Sequence, residues 1–398
     1  MAAQSTRQDG RSAGLADYLY RPEVRRIVYQ VALVAALGLL GWWVVNNVAG
    51  NLRRLNIASG FDFLGRTSGF DVSQSLIEYS NISTYGRAFW VGLLNTLLVA
   101  ALGIVAATAI GFAVGIARLS PNWLVARLAT VYVEVVRNVP LLLQLFFWYF
   151  AVLKNLPAPR ESHALPGGGF LNVRGLYLPG PVPQPGFALV LVALAAAVIG
   201  VVLLARWARR RQMRTGETFP VLWTSLGILV GVPLVAFIAA GAPLAFEYPE
   251  LKGFNFDGGL VILPELMALL LGLAIYTASF IAEIVRAGIL GVHKGQTEAA
   301  LALGLTQGQT LRLVVIPQAL RIIIPPLTSQ YLNLTKNSSL AVAIGYPDFV
   351  SVFTGTVLNQ TGQAVEVILM TMGVYLTFSL ATSLFMNWFN RHMALVER

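Results

Sequence analysis

The stretch from Glu298 to Ala319, EAALALGLTQGQTLRLVVIPQA, decides how the rest of the chain is read. It is alanine-rich and punctuated by glycine, and it lies between two strongly apolar segments at 263–288 and 322–343. Thr297 is placed to cap a helix whose first turn holds Glu298, where the helix dipole favours an acid. Ala299, Ala300, Leu301, Ala302 and Leu303 are strong helix formers. Gly304 can adopt the left-handed conformation that ends such a helix. Thr306 and Gln309 then match the S/T-x-x-E/Q box that opens a second helix carrying Leu311, Leu313 and Val314. Pro317 disfavours helical geometry at Ile316. A short helix, a fixed elbow and a second helix form a docking shape, which a mere connection between two spans would not need.

The surrounding composition is that of a membrane protein. The 398 residues are 56% hydrophobic and 12% charged, against about 25% charged in a soluble domain, and the mean hydropathy is +0.69. The chain has no cysteine, which excludes a disulfide framework and thiolate metal sites. Its three histidines, His163, His293 and His392, fall in loops without ligand spacing, so no metal site is expected.

A helix that crosses the hydrocarbon core needs roughly 20 apolar residues. Eight candidates meet that length, at about 27–48, 89–113, 128–152, 187–205, 221–241, 263–288, 322–343 and 365–388. The first follows 26 polar residues and is too long for a signal-peptide core, so it reads as an uncleaved span. With the N-terminus inside, the cytoplasmic segments hold 18 of the 28 Lys and Arg residues, and the opposite side holds eight. That bias predicts a multi-pass protein with both termini in the cytoplasm. It also accounts for the net charge of +10 as topological signal, so nucleic acid is not an expected partner. The segment 298–319 then faces the cytoplasm.

Organisation follows from the spans. Residues 1–26 form a cytoplasmic N-terminal segment, 27–48 the first span and 49–88 an external polar segment. The transport core reads as two parts, 89–153 and 263–390, the second carrying the loop at about 291–318. Between them, 154–262 reads as an insertion of an outer loop, an extra helical hairpin and a second outer loop. Its first part is rich in Pro and Gly (LPGGGF, LPGPVPQPG), which suits an extended, turn-rich excursion. Gly111 and Gly115 form a G-x-x-x-G step that allows close helix packing. No internal repeat supports an inverted-repeat carrier.

The motif Glu298-Ala299-Ala300, then Gly304, then Ile316-Pro317 resembles the EAA loop of binding-protein-dependent ABC importer permeases. AEIVRAGILGVHKGQTEAA (282–300) looks like the polar-amino-acid branch, where E-x-x-R-x-G and G-Q precede the motif. LLNTL (93–97), VEVVRNVPLLLQLFFWYF (133–150) and LTKNSSLAVAIG (334–345) agree, and the likeness covers about 86–153 and 263–395. The resemblance implies an all-α membrane protein with the type I importer permease core and an inserted hairpin, in a bacterial inner membrane. It also implies that the loop seats in an ATPase subunit, that the ATPase works as a dimer, and that a periplasmic amino-acid-binding protein delivers substrate. The long N-terminal part and extra hairpin resemble the larger subunits of general L-amino-acid transporters, which implies a second, non-identical permease. No cofactor is expected on this chain, since ATP would bind the partner. A phosphate-binding G-x-x-x-x-G-K-[ST] loop is missing from the sequence, as are the G-x-S-x-G and H-E-x-x-H motifs, so no catalytic residue is assigned.

Ionisable groups within a span are costly and point to a function or a partner. Glu134 and Arg137 lie i, i+3 on one face of the third span and can pair with each other. Asn138, Pro140 and Gln144 follow, and Pro140 should bend the helix and free a carbonyl near residue 136. In the seventh span, Asn333 shares a face with Lys336 and Asn337. An amino-acid substrate needs both a cationic corner and a carbonyl corner, so Arg137, Asn138, Gln144, Asn333 and Lys336 are candidate path contacts. The alternative is that these groups only pair with each other and glue helices together. Glu283 and Arg286 read as a brace for the cytoplasmic loop, and Asn95 as an interhelical hydrogen-bonding residue. The rival function is a self-contained, ion-coupled carrier or channel using Glu134, Arg137 and Lys336 as a relay, which leaves the capped elbow unexplained.

Overall fold

Long unbroken apolar runs can satisfy their backbone groups in lipid only as helices. The computed structural model, which describes residues 22–54 and 59–393, is built on them. Helix α1 spans Pro22–Arg54, α2 Tyr85–Ala117, α3 Trp123–Asn138, α4 Leu141–Phe146, α5 Phe187–Thr215 and α6 Val221–Ala239. Then come α7 (Pro264–Leu290), α8 (Lys294–Ala302), α9 (Gln307–Thr310), α10 (Ile316–Asn337), α11 (Leu358–Thr361) and α12 (Ala364–Met393). Among the described residues seven helical segments are long and apolar enough to cross a membrane, and one bent pair raises the number to eight. The terminal segments 1–21 and 394–398, on which the assignment of both termini to the cytoplasm depends, lie outside the described residues.

The bent pair is the third expected span. Its two halves, Trp123–Asn138 and Leu141–Asn155, meet at 106°, a turn rather than a kink. Val139, the residue before Pro140, is extended at φ −96° and ψ 125°, as a following proline requires. The Gln144 side chain closes the break, its Nε2 donating to the carbonyls of Val136 and Val139, both at 2.9 Å. The carbonyl freed near residue 136 thus finds its partner five residues beyond the break.

Helix α7 is the hub, packed by α2, α3 and α10. Gly111 and Gly115 of α2 lie against Ile281, Ala282 and Val285 of α7, and Gly288 of α7 lies against Ile323 of α10. Small residues at these crossings let backbones approach where lipid supplies no hydrophobic drive between helices. Buried Ile281, Val285, Ile323, Ile324 and Leu334 fill the cluster around them. At the other end of α2, Phe349 and Phe353 stack at 4.9 Å and meet Phe89 edge-on. Fully buried Asn95 donates from Nδ2 to the carbonyls of Gln74 and Pro347, joining α2 to the loop before it and the turn after α10.

The segments that flank the α5–α6 hairpin, 154–186 and 240–263, depart from a purely helical description. Strands β1 (His163–Leu165), β2 (Gly169–Asn172), β3 (Gly175–Leu178) and β8 (Leu260–Ile262) form one antiparallel sheet. Strands β4 (Gly180–Pro183) and β5 (Leu244–Glu247) form a second, and β6 (Glu250–Lys252) and β7 (Asn255–Asp257) a third. Leu176 faces Ile262 and Gly180 faces Glu247, so the loops before and after the α5–α6 hairpin are stitched into one cap. Phe256 stacks on Phe170 at 4.5 Å and packs against Tyr177, whose hydroxyl meets Asn255. On the cap's surface, a hydrogen bond from Lys252 holds the Asp257 carboxyl below the usual carboxylate range.

Candidate functional site

Two regions collect the residues singled out above: the elbow between α7 and α10, and the open faces of α3 and α10.

The elbow is capped at every free end. Helix α8 begins at Lys294, with His293 as N-cap: its Nδ1 accepts from the Gly295 N–H at 3.1 Å. Thr297 is therefore not the cap, and Glu298 sits in mid-helix; an imidazole can supply the acceptor that Ser, Thr, Asn or Asp usually provides. At the C-terminal end the Leu305 N–H donates to Ala300 O and the Gly304 N–H to Leu301 O, with Gly304 left-handed at φ +83°. Both bonds of the Schellman closure are thus present. Thr306 and Gln309 form the expected capping box, with Thr306 N–H to Gln309 Oε1 at 2.9 Å and Gln309 N–H to Thr306 Oγ1 at 3.3 Å.

Beyond α9 the chain does not break at Ile316, which is helical at φ −60° and ψ −47°. Residues Leu311–Val315 form a π-turn, in which the Ile316 N–H bonds to Leu311 O. The wider turn takes up Pro317 within the first turn of α10, where a missing N–H costs little. Helix α10 likewise runs through Pro325 and Pro326.

Leu303 (84% exposed), Leu311 and Leu313 (62%) point away from the protein, while Ala300 and Val315 are buried beneath them. Between α8 and α9 lies a cleft of about 490 Å³ lined by Val292, Glu298, Leu301, Gln307, Leu311 and Val315, among others. Rigid backbone under exposed leucines is a surface fit for another protein. The ion pair foreseen above it is present and larger than foreseen. Arg286 donates to Glu283 at 2.6 Å, and Arg118, from the turn after α2, pairs with the same carboxylate. Arg118 lies 165 residues from Glu283 in sequence, so no spacing rule could link them.

The second region is more open. Glu134 and Arg137 make no ion pair; the Arg137 guanidinium instead lies over the Phe280 ring of α7, 4.9 Å from its centroid. A cation–π contact holds the arginine toward α7 and away from the carboxylate one turn earlier. Asn138 is exposed and donates to Glu134 O. Gln144 is buried, with both donors committed to the break. On α10, Asn333 and Lys336 are exposed. Lys336 lines a cavity of about 460 Å³ with Ser339, Val350, Tyr375, Leu376 and Ser379. Tyr375 donates to the carboxylate of fully buried Asp348, which also accepts the Ser351 N–H at 2.8 Å. Asp348 stands in no span and no motif, so nothing in the sequence alone marks it. No group of three or more His, Cys, Asp or Glu side chains suited to a metal occurs among the described residues.

The geometry can be set beside known proteins. A family model described as binding-protein-dependent transport system inner membrane component matches residues 193–395. Over 100% of this chain and 99% of its relative, the sequence is 55% identical to the general L-amino acid transport system permease protein AapQ of Rhizobium johnstonii. It is also 55% identical to the putative amino-acid ABC transporter permease protein YhdX of Escherichia coli, over 95% of this chain and 96% of that one. Identity to the glutamate/glutamine/aspartate/asparagine transport system permease protein BztB of Rhodobacter capsulatus is 41%, over 96% of both.

Proposed function

The chain belongs to the family of binding-protein-dependent transport system inner membrane components, and on that premise we propose which of its parts receive force and which meet the substrate. It is a multi-pass inner-membrane permease subunit of an ABC-type amino-acid importer, of the polar amino-acid branch. It forms the translocation path of a system driven by a separate ATPase, and is a transport protein rather than an enzyme.

The elbow of Glu298, Ala299, Ala300 and Gly304, continued to Ile316 and Pro317, seats in the ATPase subunit. The observation that carries this assignment is the doubly closed backbone at Gly304 beneath exposed Leu303, Leu311 and Leu313. A loop that ends in π-turn and α10 without a break transmits movement of the elbow as a rigid body. Further partners are a second, non-identical permease and a periplasmic amino-acid-binding protein, with both termini of this chain in the cytoplasm. Copurification from gently solubilised membranes tests the assembly: an ATPase and a second permease are expected, and a chain that repeatedly comes down alone would refute it.

Arg137, Asn138, Asn333 and Lys336 are all exposed, Arg137 beside Phe280 of α7 and Lys336 in a cavity shared with α12, which suits a path between two permease subunits. Gln144 contributes by holding the α3 break. The importer's substrates are L-amino acids of broad or acidic and amide type, in line with the names of its relatives. Lys336 supplies a cation for the substrate carboxylate. Lys336→Gln is expected to raise the KM for uptake by about tenfold, the weight of one charge-assisted hydrogen bond. Unchanged KM and selectivity in an assembled Lys336→Gln importer would remove Lys336 from the path.

A further inference from the structure

We propose that the inner end of the α5–α6 hairpin is a binding site for the headgroups of anionic phospholipids, holding the hairpin at the cytoplasmic face. Its position follows from the cap. Helix α5 starts directly after β4 and α7 directly after β8, while α6 returns to β5; β4 pairs with β5 and β3 with β8. The starts of α5 and α7 and the end of α6 are therefore gathered on one side of the membrane. Having crossed, α5 and α7 both end on the other side, with the elbow.

What stands there is strongly cationic. Arg206, Arg209, Arg210, Arg211 and Arg214 lie within the last ten residues of α5, which closes at Gly216. Only Arg211 has a carboxylate partner, Glu217 at 2.6 Å; the other four form no ion pair among the described residues. Arg206, Arg209, Arg210 and Met213 follow the i, i+3, i+4, i+7 spacing of one helix face, so three unpaired guanidinium groups are presented together. Trp207, packed edge-on against Phe219 and under the Arg211 guanidinium, adds an aromatic group of the kind that settles at the headgroup level. Above them Leu189, Leu191, Val192, Val198, Ile199 and Leu203 are exposed to the hydrocarbon.

The hairpin also needs such an anchor. Its two helices pack chiefly on each other, not on α2, α7 or α10, and the cap fixes only its outer end. Guanidinium groups bind phosphate oxygens bidentately, and clustered basic residues just inside a membrane helix attract anionic lipid. The phosphodiester of phosphatidylglycerol, or the paired phosphates of cardiolipin, match the three-arginine face in charge.

The test uses the full chain with its copurifying subunits, delipidated and offered phosphatidylcholine, phosphatidylglycerol or cardiolipin in micelles, with retained lipid measured by mass spectrometry. The wild type should retain anionic lipid over phosphatidylcholine by about tenfold, weakened by salt. An Arg206→Gln/Arg209→Gln/Arg210→Gln variant should lose that preference, and the corresponding triple Lys variant should keep most of it. Equal retention of all three lipids by the wild type would overturn the site, as would an undiminished preference in the Gln variant. Displacement of the lipid by inorganic phosphate at low concentration would reassign the site to free phosphate. Loss of the second permease from the Gln variant alone would reassign the basic face to a protein contact.

Discussion

Gly304→Asp is expected to reduce ATP-driven uptake to background in a chain that still reaches the membrane and assembles. The reason is charge, not collapse. Gly304 is left-handed at φ +83°, and a Cβ built there meets nothing within 4 Å. A residue with a side chain therefore costs only the left-handed strain, about 1–2 kcal/mol, and Asp and Asn carry that strain better than most. The Asp carboxylate would stand beside exposed Leu303, on the surface proposed to seat in the ATPase. Burying an unpaired charge in an interface costs several kcal/mol, enough to abolish seating. Gly304→Asn has nearly the same shape and backbone preference without the charge, so it should keep uptake within a few-fold of wild type. Uptake of labelled substrate into vesicles, normalised to assembled complex, separates the outcomes. Normal uptake by Gly304→Asp would take the coupling role away from the elbow. If Asn were as inactive as Asp, the defect would lie in side-chain volume, and the partner must approach the glycine backbone itself.

The elbow was legible because its rules are local. Gly304, Thr306 and Gln309 act through bonds that span three to five residues, and those bonds are present as the spacing predicts. The one cap misplaced, Thr297 for His293, failed because histidine is a rare acceptor at that position and Thr297 four residues later has the commoner chemistry. Pro317 misled for a related reason: its local bias against helix at Ile316 was overridden by a π-turn, which needs a whole turn to be seen.

Longer-range features were hidden in proportion to sequence distance. The cap was read as an extended loop because its strands are only three or four residues long, too short for alternation to show, and β3 finds β8 across the intervening hairpin. Arg118 could not be joined to Glu283 by any spacing, although the Glu283–Arg286 half of the network could. The pairing that the i, i+3 spacing allows between Glu134 and Arg137 does not form, because Phe280, on another helix, competes for the guanidinium. The spans themselves were visible at once, since lipid imposes its requirement residue by residue. The break at Pro140 was visible too, but its 106° angle depends on Gln144 capping the freed carbonyls.

Gly111→Ala should be the most damaging single methyl added to the bundle, and the same change at Gly288 should behave differently. A Cβ at Gly111 would lie 2.6 Å from both Cβ and Cγ2 of Ile281 and 3.1 Å from the Ala278 carbonyl oxygen. No shortening of Ile281 to Val or Ala removes its Cβ, so only separation of the α2 and α7 backbones can relieve the contact. Overpacking of this kind costs about 1–3 kcal/mol or more, and here it opens the hub on which α3 and α10 also pack. A Cβ at Gly288 would overlap Cγ1 and approach Cδ1 of Ile323, atoms that alanine lacks. Ile323→Ala removes both, whereas Ile323→Val keeps the branch at Cγ1. Thus Gly288→Ala alone should lower the thermal midpoint, Ile323→Ala should restore much of it in the double variant, and Ile323→Val should not. Gly111→Ala should remain defective with Ile281→Val or Ile281→Ala. Thermal midpoints and monodisperse yield of the detergent-solubilised complex supply both double-mutant cycles. A wild-type midpoint for Gly111→Ala would mean that α2 and α7 are not held at this spacing. Equal rescue of Gly288→Ala by Val and Ala would mean that the crossing of α7 and α10 yields by backbone movement, and that the elbow is carried on a looser joint than its caps imply.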